Sequence, residues 1–326
     1  MDVLDRRLVA ALQVSPRAAW GEIGRAVGEH ERTVARRLQR LVSEGAVRVT
    51  AIYDDLRSGH GRPVHLHVQV RPGTAGAVAK ALSDRPDTRS VYALTGVADI
   101  GCELVSPSRE ALHDIITAQV PAIDGVLQTQ TQVVLHTFRT VAEWHAPYLT
   151  EQEVAELRPA AAGGPLPDED GMSPLEQEIA ELLVADGRIA FTAIAERLDV
   201  SVPTARRRVT SLLERRVLLL RAEVEPALLG LEVEAQLWLK VRPDGLDTVG
   251  RTLAAHPHVR YCAATAGTHS LIVQVAVAHE AALYRLLTEV VGDLHEVTGT
   301  DVTLITRAYK RGHLRKSGLL TLERTP

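Results

Sequence analysis

An α+β chain, in which a helical unit and a strand-rich unit each occur twice, is what this sequence predicts, and three observations predict it. The stretch "ERTVARRLQRLVSEGAVRV" (31–49) is echoed 171 positions later by "VPTARRRVTSLLERRVLLL" (202–220). The same offset lays Leu4-Asp5 on Leu175-Glu176, Arg17 on Arg188, Trp20 on Phe191, Gly59 on Gly230, Arg71-Pro72 on Arg242-Pro243, and Gly96 on Gly267. Within each copy the apolar spacing then changes from the helical to the alternating kind. A shared frame this long is a tandem duplication, and its period is too long for a solenoid repeat.

The first part of each copy reads as three helices. Leu4, Leu8 and Leu12 recur every four residues across 3–13, a short helix follows at 20–27, and a third spans 32–43. In the second copy Ser201 is an N-cap and Pro203 sits in the first turn, where its missing N–H costs nothing. Gly45 ends the third helix of the first copy. "AVRVTAIYD" (46–54) and "VLLLRAEVE" (217–225) read as short strands.

The second part alternates strand, helix, strand, strand, helix, strand. Val64, Leu66, Val68 and Val70 share one face of the first strand. A helix at 74–84, strands at 89–95 and 98–105, a helix at 108–119 and a last strand at 128–137 follow, and "AQLWLKV" (235–241) begins the same series again. The order βαββαβ is ferredoxin-like. Near the end the offset is expected to slip to 169, where "TQVVLHT" (131–137) meets "TDVTLIT" (300–306). Between the copies, "LRPAAAGGPLPDEDGMS" (157–173) has the composition of a flexible linker, and "TEQEVAEL" (150–157) predicts a helix closing the first copy. The resulting division is 1–54, 62–150, linker 157–173, 174–225 and 233–326.

Composition narrows the classes. The chain has 326 residues, 45% hydrophobic and 24% charged, as ordinary globular domains do. No apolar window of 18 residues is present and "MDVLDRRLVAAL" is no signal sequence. Two cysteines make no disulfide framework, so a reduced cytoplasm is expected. The net charge of −4 conceals an asymmetry: residues 1–50 carry +3 and 173–222 carry +1, leaving −8 on the other 226.

The basic excess lies where the echoed helix lies. On a helical wheel Val34, Leu38 and Leu41 face inward, whereas Thr33, Arg36 and Arg40 face out, with Arg32 near the N-terminus. In the second copy Ala205, Val209 and Leu212 face in, and Ser201, Thr204 and Arg207 out. Three short helices of this kind form a helix-turn-helix, whose last helix enters the major groove. Arg37 and Arg208 lie at the edge of the core and fit a DNA contact or a structural ion pair. An outward arginine either reads guanine or holds a phosphate.

The run "LDRRLVAALQVSPRAAWGEIGRAVGEHERTVARRLQRLVSEGAVRV" resembles the DNA-binding domain of the Lrp/AsnC family, the feast/famine transcription regulators. The βαββαβ part resembles that family's effector (RAM-type) domain, "GVADI" (96–100) matching its glycine–x–x–aspartate turn. The resemblance implies two winged-type helix-turn-helix domains alternating with two ferredoxin-like RAM-type domains. It further implies an operator-binding regulator that self-associates through its sheets and takes an amino acid at their interface. The implied effector residues are Thr95, Gly96, Val97, Ala98 and Asp99, and, in the second copy, Gly267, Thr268, His269 and Ser270. Asp99 suits an ammonium and Gly96 a close backbone approach, although a hairpin glycine and a solvated turn aspartate explain both as well.

The chain departs from the family pattern in carrying two copies. It is expected either to close on itself as a pseudo-dimer or to pair between chains. A linker of 17 residues gives a millimolar effective concentration, which favours closure. Glu31-Arg32 stands against Val202-Pro203 and Arg40 against Ser211, so the two helices are expected to read unlike half-sites, the second more weakly. Ser270 replaces the aspartate of the effector turn, so unlike ligand sites are expected too.

The competing readings are thinner. His65 and His67 share a strand face, but no third metal ligand accompanies them, and no metal or other cofactor is expected. "RAYKRGHLRK" (307–316) reads as a solvated basic tail with a possible phosphate contact. Siroheme decarboxylases resemble this family in both modules and occur as fused pairs, yet "TGVADIGCEL" and "AGTHSLIVQV" lack their Tyr-Asn-x-Trp-Phe-like run, leaving His269 alone. RNA recognition would require aromatics on the central strands, and the chain is 3% aromatic. A ligand-independent architectural DNA binder is the remaining alternative.

Overall fold

The computed structural model describes residues 1–158, 172–312, 314–316 and 322–324. Most of the expected linker, 159–171, lies outside them. The first copy runs α1 (Val3–Val14), α2 (Trp20–Val27), α3 (Glu31–Ser43), β1 (Val47–Tyr53), β2 (Arg62–Val70), α4 (Ala75–Asp84), β3 (Thr88–Leu94), β4 (Ile100–Ser106), α5 (Arg109–Asp114), β5 (Val126–Arg139) and α6 (Glu151–Leu157). The second runs α7 (Pro174–Ala185), α8 (Phe191–Leu198), α9 (Val202–Glu214), β6 (Leu218–Val224), β7 (Val233–Val241), α10 (Leu246–Ala255), β8 (Val259–Ala266), β9 (Leu271–Val277), α11 (Glu280–Arg285) and β10 (Val297–Arg311). The helix expected over 108–119 is α5 continued by a π-helical turn, Ile115–Gln119, and Leu286–Val291 repeats the feature.

The elements collect into two compact units that cut across the copies: residues 1–61 with 145–225, and 62–144 with 226–326. The helical parts share one unit and the strand-rich parts the other.

In the helical unit, Leu8, Leu12, Ile23, Val34, Leu38 and Leu41 form the buried side of α1–α3, as the wheel predicts. Asp2 caps α1, and Thr150 and Ser173 cap α6 and α7, each in a reciprocal box with an acid three residues on. The strand after each third helix finds its partner in the opposite copy: β1 and β6 pair antiparallel from Val47↔Val224 to Tyr53↔Leu218. Thr50 meets Arg221, its counterpart at 171, at the centre of this ladder. Any wing is therefore shared by the two copies. β1 is also built into the other copy's core, where Ala51 and Tyr53 pack with Ile179, Leu183, Val209 and Leu212.

In the strand-rich unit each copy orders its strands 2-3-1-4, as β3-β4-β2-β5 and β8-β9-β7-β10. β5 pairs with β8, and β10 with β3, so the eight strands close into one ring. This is the intrachain pseudo-dimer. Val64, Leu66 and Val68 pack outward on α4 and the α5 segment, and Leu237, Leu239 and Val241 do the same in the second copy. His65 and His67 therefore point into the ring. There His67 of β2 meets Trp238 of β7, four strands away, with ring centroids 4.2 Å apart.

Two expectations are corrected here. The frame does not slip to 169: Val64↔Val133 and Ala235↔Leu304 hold 171 through the last strands. Nor is 307–311 a solvated tail. These residues lie in β10, where Lys310 and Arg311 are only 2% and 3% exposed. Lys310 donates to the carbonyls of Ser83 and Arg85. Arg311, with Arg260, pairs with Glu234 at 2.5 Å. Buried charges of this sort persist only when paired. Of the remaining tail residues, Leu314 is buried, and His313 and the side chains of 315–316 lie outside the described residues.

Candidate nucleic-acid interface and ligand turns

The two candidate sites are built on different units. On α3, His30 caps the first turn by accepting from the Arg32 N–H at 3.3 Å. On α9, the Ser201 hydroxyl accepts from the Thr204 N–H at 3.2 Å. Arg32, Arg36 and Arg207 are exposed, and Thr33 and Thr204 are half-buried beside them. Among the described residues no ion pair engages Arg32, Arg36 or Arg207. Arg206, standing where the first copy has Ala35, is also exposed and lies over the Phe191 ring at 5.3 Å.

The other arginines are tied down. Arg37 donates to Asp2 Oδ2 at 2.6 Å and to Asp5 Oδ1 at 2.9 Å. Arg40 is exposed, as the wheel predicts, and donates to Asp5 Oδ2 at 2.8 Å. In the second copy Glu176 takes the place of Asp5, and Arg208 and Arg215 lie 3.6 and 2.7 Å from it. The second arginine has thus moved from position 40 to the counterpart of position 44. Hydrogen bonds from the Asp5 N–H and Arg37 hold Asp2 below the usual carboxylate range, and Asp2 and Asp5 raise Arg37. Burial alone would raise Glu176; Ser173, Arg215 and Arg208 outweigh it and leave it lowered. These arginines brace the third helix against the first.

The ligand turns differ between copies. In the first, Thr95, Gly96, Val97 and Asp99 are exposed and Ala98 is buried. Gly96 has φ +89°, the left-handed region that glycine enters freely. Thr95 accepts from the Leu304 N–H at 2.9 Å, and Gln69 donates to the Val97 carbonyl at 2.8 Å. Asp99 accepts from the Val70 N–H at 2.8 Å. In the second copy Gly267 and Thr268 are exposed, and Gln130 donates to Thr268. His269 is buried and its Nε2 lies 2.7 Å from Asp301 Oδ2. Ser270 accepts from the Val241 N–H at 2.8 Å. The expected residues cluster turn by turn, but His269 belongs to the interior of the ring.

Inside the ring, burial drops His65 to about 4. His67 also falls to about 4, through burial first and then repulsion from His65 and His269. Sequence reasoning missed this cluster, and the buried set Glu234, Arg260 and Arg311, because closure of the ring is what brings them together. The shared offset of His67 and Trp238 was the available signal.

A duplicated DNA-binding and ligand-binding protein is the class these features define. The family model for the AsnC-type helix-turn-helix domain matches residues 1–42 and 172–213, and that for the Lrp/AsnC ligand binding domain matches 64–142 and 234–314. The chain belongs to the Lrp/AsnC family. The HTH-type transcriptional regulator FL11 of Pyrococcus horikoshii is 28% identical over 144 residues, 44% of this chain and 95% of its own. Ptr1 of Methanocaldococcus jannaschii, also an HTH-type transcriptional regulator, is 27% identical over 139 residues, 42% and 94% respectively. Each of these aligns with one copy's length. The crystal structure of the siroheme decarboxylase NirDL superposes with a TM-score of 0.63 at 17% identity, covering 96% of this chain and 94% of that one. At that identity the likeness is one of fold.

Proposed function

We propose that this chain is a transcription regulator in which two subunits are fused, so that one molecule presents two unlike recognition helices to double-stranded DNA. The observation that carries the reading is the pair of arginines Arg36 and Arg207, 171 apart, exposed on the third helices of two AsnC-type helix-turn-helix segments within one compact unit. In this reading Arg32, Thr33 and Arg36 contact DNA from α3, and Ser201, Thr204, Arg206 and Arg207 from α9. Arg37, Arg40 and Arg208 serve structure instead. The helical segments act as winged-type domains with a shared wing, and the βαββαβ halves as ferredoxin-like effector domains. The first-copy turn, Thr95 to Asp99, is the stronger effector site, with an amino acid or a related amine-bearing acid as ligand. Self-association is through the ferredoxin-like sheets, within one chain as the pseudo-dimer, and no catalytic role is assigned.

Gel-shift titration on genomic fragments, at two salt concentrations and with or without an amino-acid pool, tests this. A specific shift altered by the pool is expected. Sequence-indifferent binding that fades steeply with salt would replace the operator reading with an architectural one.

A tetrapyrrole enzyme is the second reading, favoured by the end-to-end likeness to NirDL. The cavity among His65, His67, Gln236 and Trp238 is about 10 Å³, room for about one water and far below the roughly 300–1,000 Å³ of small-molecule pockets. A Soret change on adding siroheme, with release of carbon dioxide, would reinstate it.

A further inference from the structure

We propose that Arg17 and Arg188 form a reciprocal clamp that fixes the spacing of α3 and α9, and thereby the half-site separation that the fused pair accepts on DNA. The second clause rests on the DNA-binding reading above; the first does not.

Each arginine follows the first helix of its own copy and reaches into the other. Arg17 donates through Nη1 to the Gly187 carbonyl at 2.8 Å and through Nη2 to that of Ile189 at 2.9 Å. Arg188 returns the pattern to Pro16 at 2.7 Å and Ala18 at 3.0 Å. Arg17 also lies over the Phe191 ring at 4.8 Å, and Arg188 over Trp20 at 3.9 Å. All six partners are exchanged between copies, which is the two-fold relation of a dimer written into one chain.

Simple adhesion does not explain the choice of residue. Burial pulls both guanidinium groups below the ordinary arginine range, and Arg17 repels Arg188. Apolar side chains would carry neither penalty. What arginine adds is a rigid planar fork that fixes two carbonyl directions at once, together with stacking on an aromatic face.

The clamp bears on the recognition helices through the elements before them. Trp20 opens α2 and Phe191 opens α8. The turn from α2 into α3 is tight: a Cβ on Gly24 would stand 2.5 Å from the Glu29 carbonyl, so α3 moves with α2. Beside the clamp lies the β1–β6 ladder, where the Val49 carbonyl accepts from the Gly187 N–H at 3.0 Å. The ladder and the packing of β1 into the other copy's core join the two halves, and the clamp adds paired hydrogen bonds of fixed direction between the loops that precede α2 and α8.

The test uses the full chain with Gln39→Cys and Thr210→Cys, exposed counterparts on α3 and α9, carrying spin labels. The native Cys102 and Cys262 are buried with thiols pushed up to about 12, so they do not label. A single narrow distance is expected, widening at least about twofold in Arg17→Ala/Arg188→Ala. On a selected operator, inserting about five base pairs turns one half-site to the opposite face; the parent should lose about tenfold in affinity and the double variant about threefold or less. An unchanged width, with the parent's spacing preference intact, overturns the clamp. Should the parent bind no DNA, the regulator reading fails while the distance still decides the clamp. Should the alanine pair not fold, Arg17→Met/Arg188→Met decides: a thioether fills the space but donates to neither carbonyl, so its distribution widens, and a parent-like width overturns the proposal.

Discussion

Asp99 and Ser270, 171 residues apart, accept the same backbone hydrogen bond, from Val70 and Val241, at the same 2.8 Å. A hydroxyl therefore does the structural part of a carboxylate's work at this turn. What the carboxylate adds in the first copy is charge on an exposed residue. Asp99→Ser is expected to keep the melting temperature within the equivalent of about 1 kcal/mol while weakening binding of the responsive amino acid at least about tenfold by calorimetry. Equal affinity in parent and variant would assign Asp99 to the turn alone.

The arginines of α3 and α9 divide into two kinds that one assay pair separates. Arg36→Ala and Arg207→Ala should each cost about 1–3 kcal/mol of specific binding if they read bases, or lower the salt slope by about one if they hold phosphate, with stability unchanged. Arg37→Ala should instead cost on the order of 1 kcal/mol of stability, since the pair borders solvent and Arg40 still reaches Asp5. A Arg37→Ala protein that melts like the parent yet fails on DNA would reverse this assignment.

Most of the repeat was legible because both periods depend on burial, which repeats wherever the frame repeats. Val34 and Leu38, or Val64 and Leu66, could only face a core. The closing strands were misread because four matching letters favoured 169, whereas register follows neighbours: Val133 sits beside Val64, and Leu304 beside Ala235. The same frame gives Arg139 and Lys310 one task, since Arg139 donates to the Ala254 and His256 carbonyls as Lys310 does to Ser83 and Arg85. Illegible from spacing alone was which counterparts meet. His67 and Trp238 are unlike residues at equivalent positions, and only ring closure sets them edge to face.

Gly250 marks a place where the copies lock tightly. A Cβ there would stand 2.3 Å from Phe138 Cε2, a rigid ring on β5. Its counterpart, Ala79, already carries a methyl group. Gly250→Ala is expected to destabilise the strand-rich unit by about 1–3 kcal/mol, despite alanine's better helix propensity. A denaturant midpoint equal to the parent's would show that Phe138 yields freely.

The interior histidines make stability depend on pH. Burial holds His65 at about 4, and burial with repulsion from His65 and His269 holds His67 there, against the opposing pull of Asp301 and the Gln130 hydrogen bond. In the unfolded chain an imidazole titrates near 6.5. Between about pH 4 and 6.5 the unfolded state therefore binds more protons, and stability falls as pH falls through that window. At about 1.4 kcal/mol per pKa unit, each histidine contributes on the order of 3 kcal/mol to the loss by pH 4. Other groups titrate over the same range, so the readout is the difference between the parent and His67→Gln in urea midpoints from pH 7 to 4.5. The variant is expected to have the shallower slope. Parallel slopes would mean that His67 takes up its proton inside the closed ring without opening it.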